Sequence, residues 1–315
     1  MEKTSKILIL GANGLLGSAL LKKLKHEQYV NVLTPNSSEL NILDKRLVFN
    51  YFDENLPEYV FFCAAKVGGI IANKSFPVEF FTNNMQMSMN VIESCYKFKV
   101  KKTVLLGSSC IYGKDSPQPM KEEYLMKGEL EPTNEAYALA KLGMMRLGEY
   151  YNKQYGTQFV TAHPCNVFGP NDNFHPQNSH LIASVIRKVH EAKLNHSDSI
   201  TVWGDGSPIR EHIFSDDVAD ALIFIMNNYS PENGSVNIGT GIGLTIKNIY
   251  EIIMNILDYH GTLVFDSSKP NGTMKKVVDT VKLTNMGWSF QTSFENGVRK
   301  VYNHLRNNDF KWKEK

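Results

Sequence analysis

A strand, a loop and the start of a helix are encoded together in Lys6-Ile7-Leu8-Ile9-Leu10-Gly11-Ala12-Asn13-Gly14-Leu15-Leu16-Gly17. An apolar run without polar interruption is typical of a strand that is buried on both faces of a parallel sheet. Glycine is needed where the backbone turns sharply and approaches a pyrophosphate closely, and the N-terminus of the next helix offers unpaired N–H groups to that anion. The GxxGxxG spacing therefore predicts dinucleotide binding, with Gly11, Gly14 and Gly17 against the coenzyme.

Strand and helix patterns continue to alternate through the first half of the chain. Strand patterns cover residues 30–33, 59–63 and 103–106, and helical patterns cover residues 15–24 and 84–98. This alternation is typical of βαβ units, in which parallel strands are covered by helices on both faces. The fold class that we expect is α/β, a Rossmann doubly wound parallel sheet.

The alternation of strand and helix patterns becomes less regular after about residue 165, where prolines interrupt a stretch rich in Asn and His. Helical patterns return at residues 181–192 and 216–226, and strand patterns at 202–206 and 235–238. We expect residues 1–165 to form the coenzyme-binding Rossmann domain, joined by a returning segment at about 213–240. Residues 166–212 and 241–315 are expected to form a smaller C-terminal α/β lobe that binds the substrate.

Composition excludes several other classes of protein. The 315 residues carry a net charge of only +2, which argues against a nucleic-acid-binding protein. The four cysteines lack the paired spacing of a metal site or a disulfide framework, so we expect neither. No leader peptide and no long apolar run is recognisable, which predicts a cytoplasmic protein without a membrane partner. The terminal segment, residues 311–315, is expected to be a solvated tail.

The residues after the second predicted strand bear on the choice of coenzyme. A carboxylate at this position would grip the ribose hydroxyls of NAD and repel the 2′-phosphate of NADP. Residues 33–38 read Leu-Thr-Pro-Asn-Ser-Ser, with neither an acid nor a base before Glu39. The stretch therefore favours NADP(H) over NAD, and residues 1–165 are predicted to be an NADP-binding domain.

A Ser, Tyr and Lys combination points to reduction or oxidation of a carbonyl group. Tyr137 and Lys141 are four residues apart and share one face of a helix, while Ser108 follows a predicted strand at the edge where such sheets bind ligands. A tyrosine titrates near 10, so we expect the ammonium of Lys141 to lower the pKa of the phenol. Alone, the pair could be an exposed helical pair; with the glycine loop and the serine, it predicts catalysis, with Ser108 binding the carbonyl and Tyr137 protonating it.

With these residues in place, the chain resembles the extended short-chain dehydrogenase/reductase family over nearly its whole length. Within that family it is most similar to the GDP-L-fucose synthases. The motifs that carry the closer resemblance are Ala64-Ala65-Lys66-Val67-Gly68-Gly69-Ile70, Gly107-Ser108-Ser109-Cys110-Ile111-Tyr112, Glu131-Pro132-Thr133-Asn134-Glu135, Asn171-Asp172-Asn173-Phe174-His175-Pro176, Asn178-Ser179-His180, Trp203-Gly204 and Arg210-Glu211.

The resemblance implies an NADPH-dependent reduction of the C4 ketone of a GDP-4-keto-6-deoxy sugar by a homodimer. It makes Ser108, Tyr137 and Lys141 the catalytic trio and adds Cys110 and His180 as the base and the acid of a 3,5-epimerisation. That chemistry is coherent, because a C4 ketone acidifies the protons on C3 and C5.

Further site residues are implied by the same resemblance. Besides the three glycines, the residues that it assigns to coenzyme binding are Asn13, Leu15, Asp44, Ala64, Tyr137, Lys141, Pro164 and His180. The residues that it assigns to substrate binding are Ser109, Asn166, Lys188, Trp203, Arg210 and Lys276.

Some positions depart from the family pattern and leave alternatives open. Cys165 stands where the family has Thr, and Lys188 stands where it has Arg, which loses bidentate geometry toward a phosphate. One alternative is a reductase without epimerase activity for a variant sugar, such as a GDP-linked deoxyheptose. Others are a sugar-nucleotide 4-epimerase that recycles NAD, and an NADP-sensing protein without catalysis. For Arg210, the alternative to substrate binding is a surface ion pair with Glu211.

Overall fold

The computed structural model describes residues 1–269 and 271–314. Its main sheet has six strands in the order β2-β1-β3-β4-β5-β9, all of them parallel. These strands are β1 (Ile7–Leu10), β2 (Val32–Leu33), β3 (Tyr59–Phe62), β4 (Lys102–Leu106), β5 (Phe159–Pro164) and β9 (Val236–Ile238).

Helices cover both faces of this sheet. In β1, Ile7 and Ile9 belong to a core shared with α1 and α7, whereas Leu8 and Leu10 belong to a core shared with α2, α4 and α5. Successive side chains of a strand point to opposite faces, so a strand between two helical layers must be apolar throughout. The predicted fold class is therefore confirmed. The helices are α1 (Leu15–His26), α2 (Lys45–Asn55), α3 (Ile70–Ser75), α4 (Pro77–Lys97), α5 (Glu135–Tyr155), α6 (Leu181–Leu194), α7 (Ser215–Asn228), α8 (Ile246–Leu257), α9 (Val281–Asn285) and α10 (Phe294–Asn307).

The remaining strands lie outside the main sheet. Three of them flank or pair with β8 in a small mixed sheet, and β7 pairs in parallel with β11. A separate apolar core joins this region to α6, α8 and α10. The chain returns to the main sheet through α7 and β9. The strands concerned are β6 (Asn166–Phe168), β7 (Ser199–Trp203), β8 (Ile209–Phe214), β10 (Gly243–Thr245), β11 (Thr262–Asp266) and β12 (Lys275–Lys276).

Several element boundaries differ from the sequence prediction. Helix α4 begins at Pro77 rather than Asn84, because proline at a first helical position lacks only an N–H that would be unpaired there. Strand β2 is limited to Val32–Leu33, and Val30 is exposed. In the described part of the chain, no helix is both long and apolar enough to cross a bilayer.

The end of the chain is not the solvated tail that the sequence predicts. The ring of Trp312 packs against Phe174, with ring centroids 5.5 Å apart, and the guanidinium of Arg187 lies 5.3 Å from the Trp312 ring centroid. The prediction is wrong for residues 312 and 313, which are half-buried, because an aromatic ring gains more from apolar contact than from water. Lys315 lies outside the described residues.

Candidate active site

The glycine loop between β1 and α1 has the form that a dinucleotide requires. Gly11 has a φ of +92°, and a Cβ there would lie 2.7 Å from the backbone nitrogen of Ala64. A Cβ on Gly17 would lie 2.1 Å from the carbonyl oxygen of Gly11, so a larger residue cannot replace it without moving the loop. Gly14 caps α1 without a side-chain hydrogen bond, and Leu15 is the first helical residue, which leaves the first N–H groups for an anion. The loop therefore fits a pyrophosphate.

The segment after β2 is organised by its own side chains. The amide oxygen of Asn36 accepts hydrogen bonds from the backbone N–H and the hydroxyl of Ser38, and Glu39 accepts one from the Asn36 N–H. Asp44, predicted to bind the coenzyme, accepts hydrogen bonds from two backbone N–H groups at the start of α2. The capping role of Asp44 is a structural one, and its contact with the coenzyme stays a prediction.

Ser108 starts a tight turn at the carboxyl end of β4. The Gly107 N–H donates to the carbonyl oxygen of Ala162 in β5, 2.8 Å away, which holds the turn to the sheet. The hydroxyl oxygen of Ser108 accepts a hydrogen bond from the Cys110 N–H at 3.2 Å and so caps the turn. Ser109 is buried, whereas Ser108 and Cys110 are half-buried. The turn thus presents the Ser108 hydroxyl and the Cys110 thiol at the sheet edge.

Tyr137, on α5, lies against this turn. The neighbouring Ser108 side chain favours the ionised phenol, but burial outweighs this effect and, together with the nearby Cys110 thiol, raises the pKa of Tyr137 above its ordinary value. The net shift is opposite to the lowering that the sequence predicts, because burial dominates. The Lys141 ammonium lies 5.8 Å from the phenol ring centroid and donates to the carbonyl oxygen of Leu106 at 2.7 Å. Tyr137 is therefore protonated at neutral pH and suited to donate a proton.

Lys141 is 3% exposed, and burial lowers its pKa to about 8. Cys63, at the end of β3, is its electrostatic neighbour, and burial raises the pKa of that thiol to about 12. The ammonium thus lies in an apolar environment at the junction of β3, β4 and α5, where a small change of surroundings alters its charge.

His180 caps the N-terminus of α6 and is exposed. Asp172 is its electrostatic neighbour; burial raises the pKa of this carboxyl, and the charge of His180 opposes that shift. Within residues 1–269 and 271–314, no hydrogen bond joins His180 to Cys110, so the structure does not bring the predicted epimerase pair into direct contact.

Two cationic residues lie side by side on neighbouring strands of the small sheet. Arg210 in β8 and Lys276 in β12 are partners in the parallel register. Burial lowers the pKa of Arg210, while the carboxylate of Glu131 opposes this shift. Two adjacent cations repel each other unless an anion lies between them, so the pair suits a diphosphate.

Glu211, which sequence reasoning treated only as a partner for Arg210, holds this region together. It is fully buried, and its carboxylate accepts hydrogen bonds from the backbone N–H groups of Thr240, Gly241 and Val278 at 2.5, 2.7 and 2.7 Å. The alternative of a surface ion pair with Arg210 is therefore wrong, because adjacent strand residues point to opposite faces. That alternation was the signal available in the sequence.

The other predicted substrate residues are more dispersed. Asn166 in β6 donates from its amide to the carbonyl oxygen of Glu211 at 2.8 Å, which places it beside Arg210 in β8. Lys188 is half-buried on α6, where burial lowers its pKa. Trp203 is 62% exposed at the end of β7, with the ammonium of Lys269 5.8 Å from its ring centroid. The structure thus groups Asn166, Arg210 and Lys276 and leaves Lys188 and Trp203 on other elements.

Comparison with known proteins gives one consistent answer. The model of the NAD dependent epimerase/dehydratase family matches residues 7–239. A putative GDP-L-fucose synthase 2 of Arabidopsis thaliana is 43% identical over 302 residues, which cover 96% of this chain and 92% of the relative. A GDP-L-fucose synthase of Escherichia coli K12 is 40% identical over 313 residues, covering 96% of this chain and 98% of the relative.

A solved structure extends the likeness to three dimensions. The structure of the GDP-mannoheptose C4 reductase of Campylobacter jejuni with NADP bound superposes with a TM-score of 0.91 at 33% identity. The match covers 97% of this chain and 99% of that one.

Proposed function

Since the chain belongs to the NAD dependent epimerase/dehydratase family, we propose that it is an NADPH-dependent reductase acting on the C4 ketone of a GDP-4-keto-6-deoxy sugar. Relatives named GDP-L-fucose synthase at 40–43% identity support the nucleotide and the sugar class. The NADP-bound structural neighbour and the absence of a carboxylate in residues 34–38 support the coenzyme.

The observation that carries the proposal is the convergence of Ser108 and Tyr137 at the carboxyl end of β4. Ser108, in a turn, and Tyr137, on a helix, are 29 positions apart in the chain, and the Lys141 ammonium donates to the carbonyl oxygen of Leu106 at the end of the same strand. A structural role alone does not require a buried ammonium, a phenol and a serine hydroxyl at a sheet edge beside a glycine loop. Reduction of a carbonyl group uses a hydrogen-bond donor for the ketone oxygen and a proton donor, and this site supplies both.

Each residue has a role in the reduction. NADPH, when bound, supplies the reducing equivalent to C4. The Ser108 hydroxyl donates a hydrogen bond to the ketone oxygen and orients it toward Tyr137. Tyr137, which burial keeps protonated, gives its proton to that oxygen as negative charge develops there. The positive charge of Lys141 stabilises the phenolate that remains.

The diphosphate of the sugar nucleotide is assigned to Arg210 and Lys276 in the smaller lobe, and the coenzyme to the Rossmann domain. This assignment follows the predicted domain division. In that division, residues 1–165 and 213–240 bind the coenzyme, and residues 166–212 and 241–315 form the substrate-binding lobe. Glu211 supports it by fixing the loops on both sides of Arg210. Asn166 adds an amide next to the same strand.

Epimerisation at C3 and C5 is proposed as a further activity of the same site, which takes place before the C4 ketone is reduced. The Cys110 thiol lies beside Tyr137, so a base would sit next to the ketone whose neighbouring protons are acidified. His180 would return the proton to the opposite face, once the substrate lies between it and Cys110.

Purified protein, NADPH and GDP-4-keto-6-deoxymannose test the proposal. We expect one NADPH to be oxidised for each product molecule, as measured by absorbance. We also expect inversion at C3 and C5, as detected by NMR. Oxidation without inversion would leave the reductase and remove the epimerase. Product formation without net NADPH oxidation would instead show epimerisation at C3 or C5 without reduction. A 4-epimerase that recycles its coenzyme would act on a GDP sugar with a C4 hydroxyl, without added NADPH, and would not consume NADPH with the ketone.

The second candidate is reduction of a GDP-linked keto-heptose. The likeness to a GDP-mannoheptose C4 reductase at a TM-score of 0.91 favours it. Parallel assays with a hexose and a heptose ketone of the same nucleotide compare kcat/KM directly, and the higher value identifies the substrate class.

A homodimer is also proposed, formed through α4 and α5. Tyr96 and Tyr155 are 40% and 47% exposed and stack on each other across these helices, with ring centroids 4.4 Å apart. Exposed aromatic rings on paired helices are typical of an interface. Light scattering coupled to size-exclusion chromatography is expected to give twice the mass of 35.7 kDa.

A further inference from the structure

The end of the chain folds back onto the molecule as a segment, residues 310–314, that we call the C-terminal strap. Trp312 anchors it through its ring contact with Phe174. The backbone N–H of Phe174 also donates to the carbonyl oxygen of Lys313 at 2.8 Å. The strap is therefore attached to the loop that leads into α6.

Lys313 brings a positive charge from this strap to the coenzyme loop. Its ammonium donates hydrogen bonds to the carbonyl oxygens of Asn13, at 2.9 Å, and Asn171, at 3.2 Å. Asn13 lies inside the glycine loop, and the Asn171 amide donates to the hydroxyl of Ser18 in the first turn of α1 at 3.0 Å. The ammonium thus sits where the strap, the glycine loop and the start of α1 meet, 300 residues along the chain from Asn13.

A positive charge at this position is suited to bind the phosphate groups of a dinucleotide. In a strand-loop-helix unit, the pyrophosphate of a dinucleotide lies against the glycine loop and the helix N-terminus. An ammonium there adds a full charge to the partial charge of the helix dipole. Residues 34–38, which follow β2, contain no base for the coenzyme's phosphates. Asp172, a buried carboxyl whose pKa is raised by burial, is an acidic neighbour of Lys313.

We propose that the ammonium of Lys313 binds a phosphate group of the dinucleotide, so that the end of the chain completes the coenzyme site. The inference rests on the proposed function, which supplies NADP(H) as the ligand. It explains how a chain with no base in residues 34–38 holds a strongly anionic coenzyme, and it gives the C-terminal strap a role beyond packing.

Fluorescence titration with NADPH tests this role without measuring turnover. The proteins compared are wild type, Lys313→Met, Lys313→Arg and Lys311→Met, the last a matched control because Lys311 is exposed on the same strap. Loss of one charge-assisted contact to phosphate predicts about tenfold weaker binding for Lys313→Met and a shallower salt dependence. Lys313→Arg and Lys311→Met are expected to bind within about twofold of wild type.

A parallel titration with NADH identifies the phosphate. An equal loss for both coenzymes assigns Lys313 to the pyrophosphate, and a loss confined to NADPH assigns it to the 2′-phosphate; both support the proposal. Unchanged NADPH affinity in Lys313→Met overturns it, as does an equal loss in Lys311→Met, which would implicate strap packing rather than the ammonium. Failure of the wild type to bind NADPH would instead overturn the proposed function itself.

Discussion

The ammonium of Lys141 donates a hydrogen bond to the backbone carbonyl oxygen of Leu106 across 2.7 Å. Leu106 ends β4, two residues before Ser108, and Lys141 lies one helical turn after Tyr137. The bond thus fixes the helix that carries the phenol to the strand that leads to the serine. Because Lys141 is 3% exposed, this carbonyl rather than water holds the charge in place.

The burial of Lys141 predicts a pH-dependent stability. Its pKa is lowered to about 8, whereas a lysine in the unfolded chain titrates at 10.5. Between these values the unfolded chain binds more protons, so the contribution of Lys141 to the free energy of unfolding rises with pH. We therefore expect the free energy of unfolding of wild type, relative to that of Lys141→Met, to be larger at about pH 9.5 than at about pH 7.5 in urea unfolding.

An exposed lysine serves as the control for this measurement. Lys25→Met, on the surface of α1, is expected to keep a constant difference from wild type over the same range. A constant difference for Lys141→Met as well would show that the ammonium is not desolvated.

Tyr137→Phe is expected to remove turnover while keeping the coenzyme. The change deletes the hydroxyl that protonates the ketone oxygen, so the rate of NADPH oxidation should fall by about a hundredfold or more. NADPH affinity, measured by fluorescence titration, should change by less than about tenfold. Tyr150→Phe, on the exposed face of the same helix, is the control. Turnover within about threefold of wild type in Tyr137→Phe would refute the catalytic assignment.

Cys110→Ser is expected to separate epimerisation from reduction. A serine hydroxyl is a much weaker acid than a thiol, so the variant lacks an effective base for the protons on C3 and C5. In heavy water, wild type should place deuterium at both carbons and the variant at neither, while NADPH oxidation continues. Mass spectrometry of the product measures this.

Cys63→Ser provides the comparison for the thiol. It makes the same chemical change on a neighbouring strand, at a thiol whose pKa burial raises to about 12. Deuterium incorporation should therefore persist in Cys63→Ser. If it also persists in Cys110→Ser, another residue removes the protons.

The sequence predicts the main sheet well because its signals are local. The apolar run of β1 predicts a strand that is buried on both faces, and the glycines that follow predict the close backbone contacts of the loop. The pairing of Tyr137 with Lys141 follows in the same way from helical spacing. Residue types at short spacing thus identify the coenzyme loop and the catalytic helix.

The features that the sequence does not predict depend on contacts between distant residues. Glu211 reaches the Val278 N–H, 67 residues away, and Lys313 reaches Asn13, 300 residues away. Strand β12 has only two residues, both lysines, and forms because β8 offers it an edge. The raised pKa of Tyr137 likewise depends on burial that helical spacing does not reveal. Burial and long-range pairing are set by the assembled fold rather than by local patterns.

Gly107, directly before Ser108, is predicted to tolerate no side chain. A Cβ there would lie 2.1 Å from Nδ1 of His163, which is fully buried in β5 and cannot move aside. Gly107→Ala should lower the free energy of unfolding by about 2 kcal/mol or more. Gly69→Ala, where the nearest contact would be an ordinary 3.7 Å, should cost less.

Removing the imidazole tests whether this contact is the cause. In Gly107→Ala/His163→Ala the space of the ring accommodates the new methyl group, so the double variant should be more stable than the sum of the two single changes predicts. The coupling energy, from urea unfolding of the four proteins, is expected to be about 1–3 kcal/mol. Additivity within about 0.5 kcal/mol would mean that Gly107 is required by its backbone geometry instead, and that the serine turn is not packed against His163.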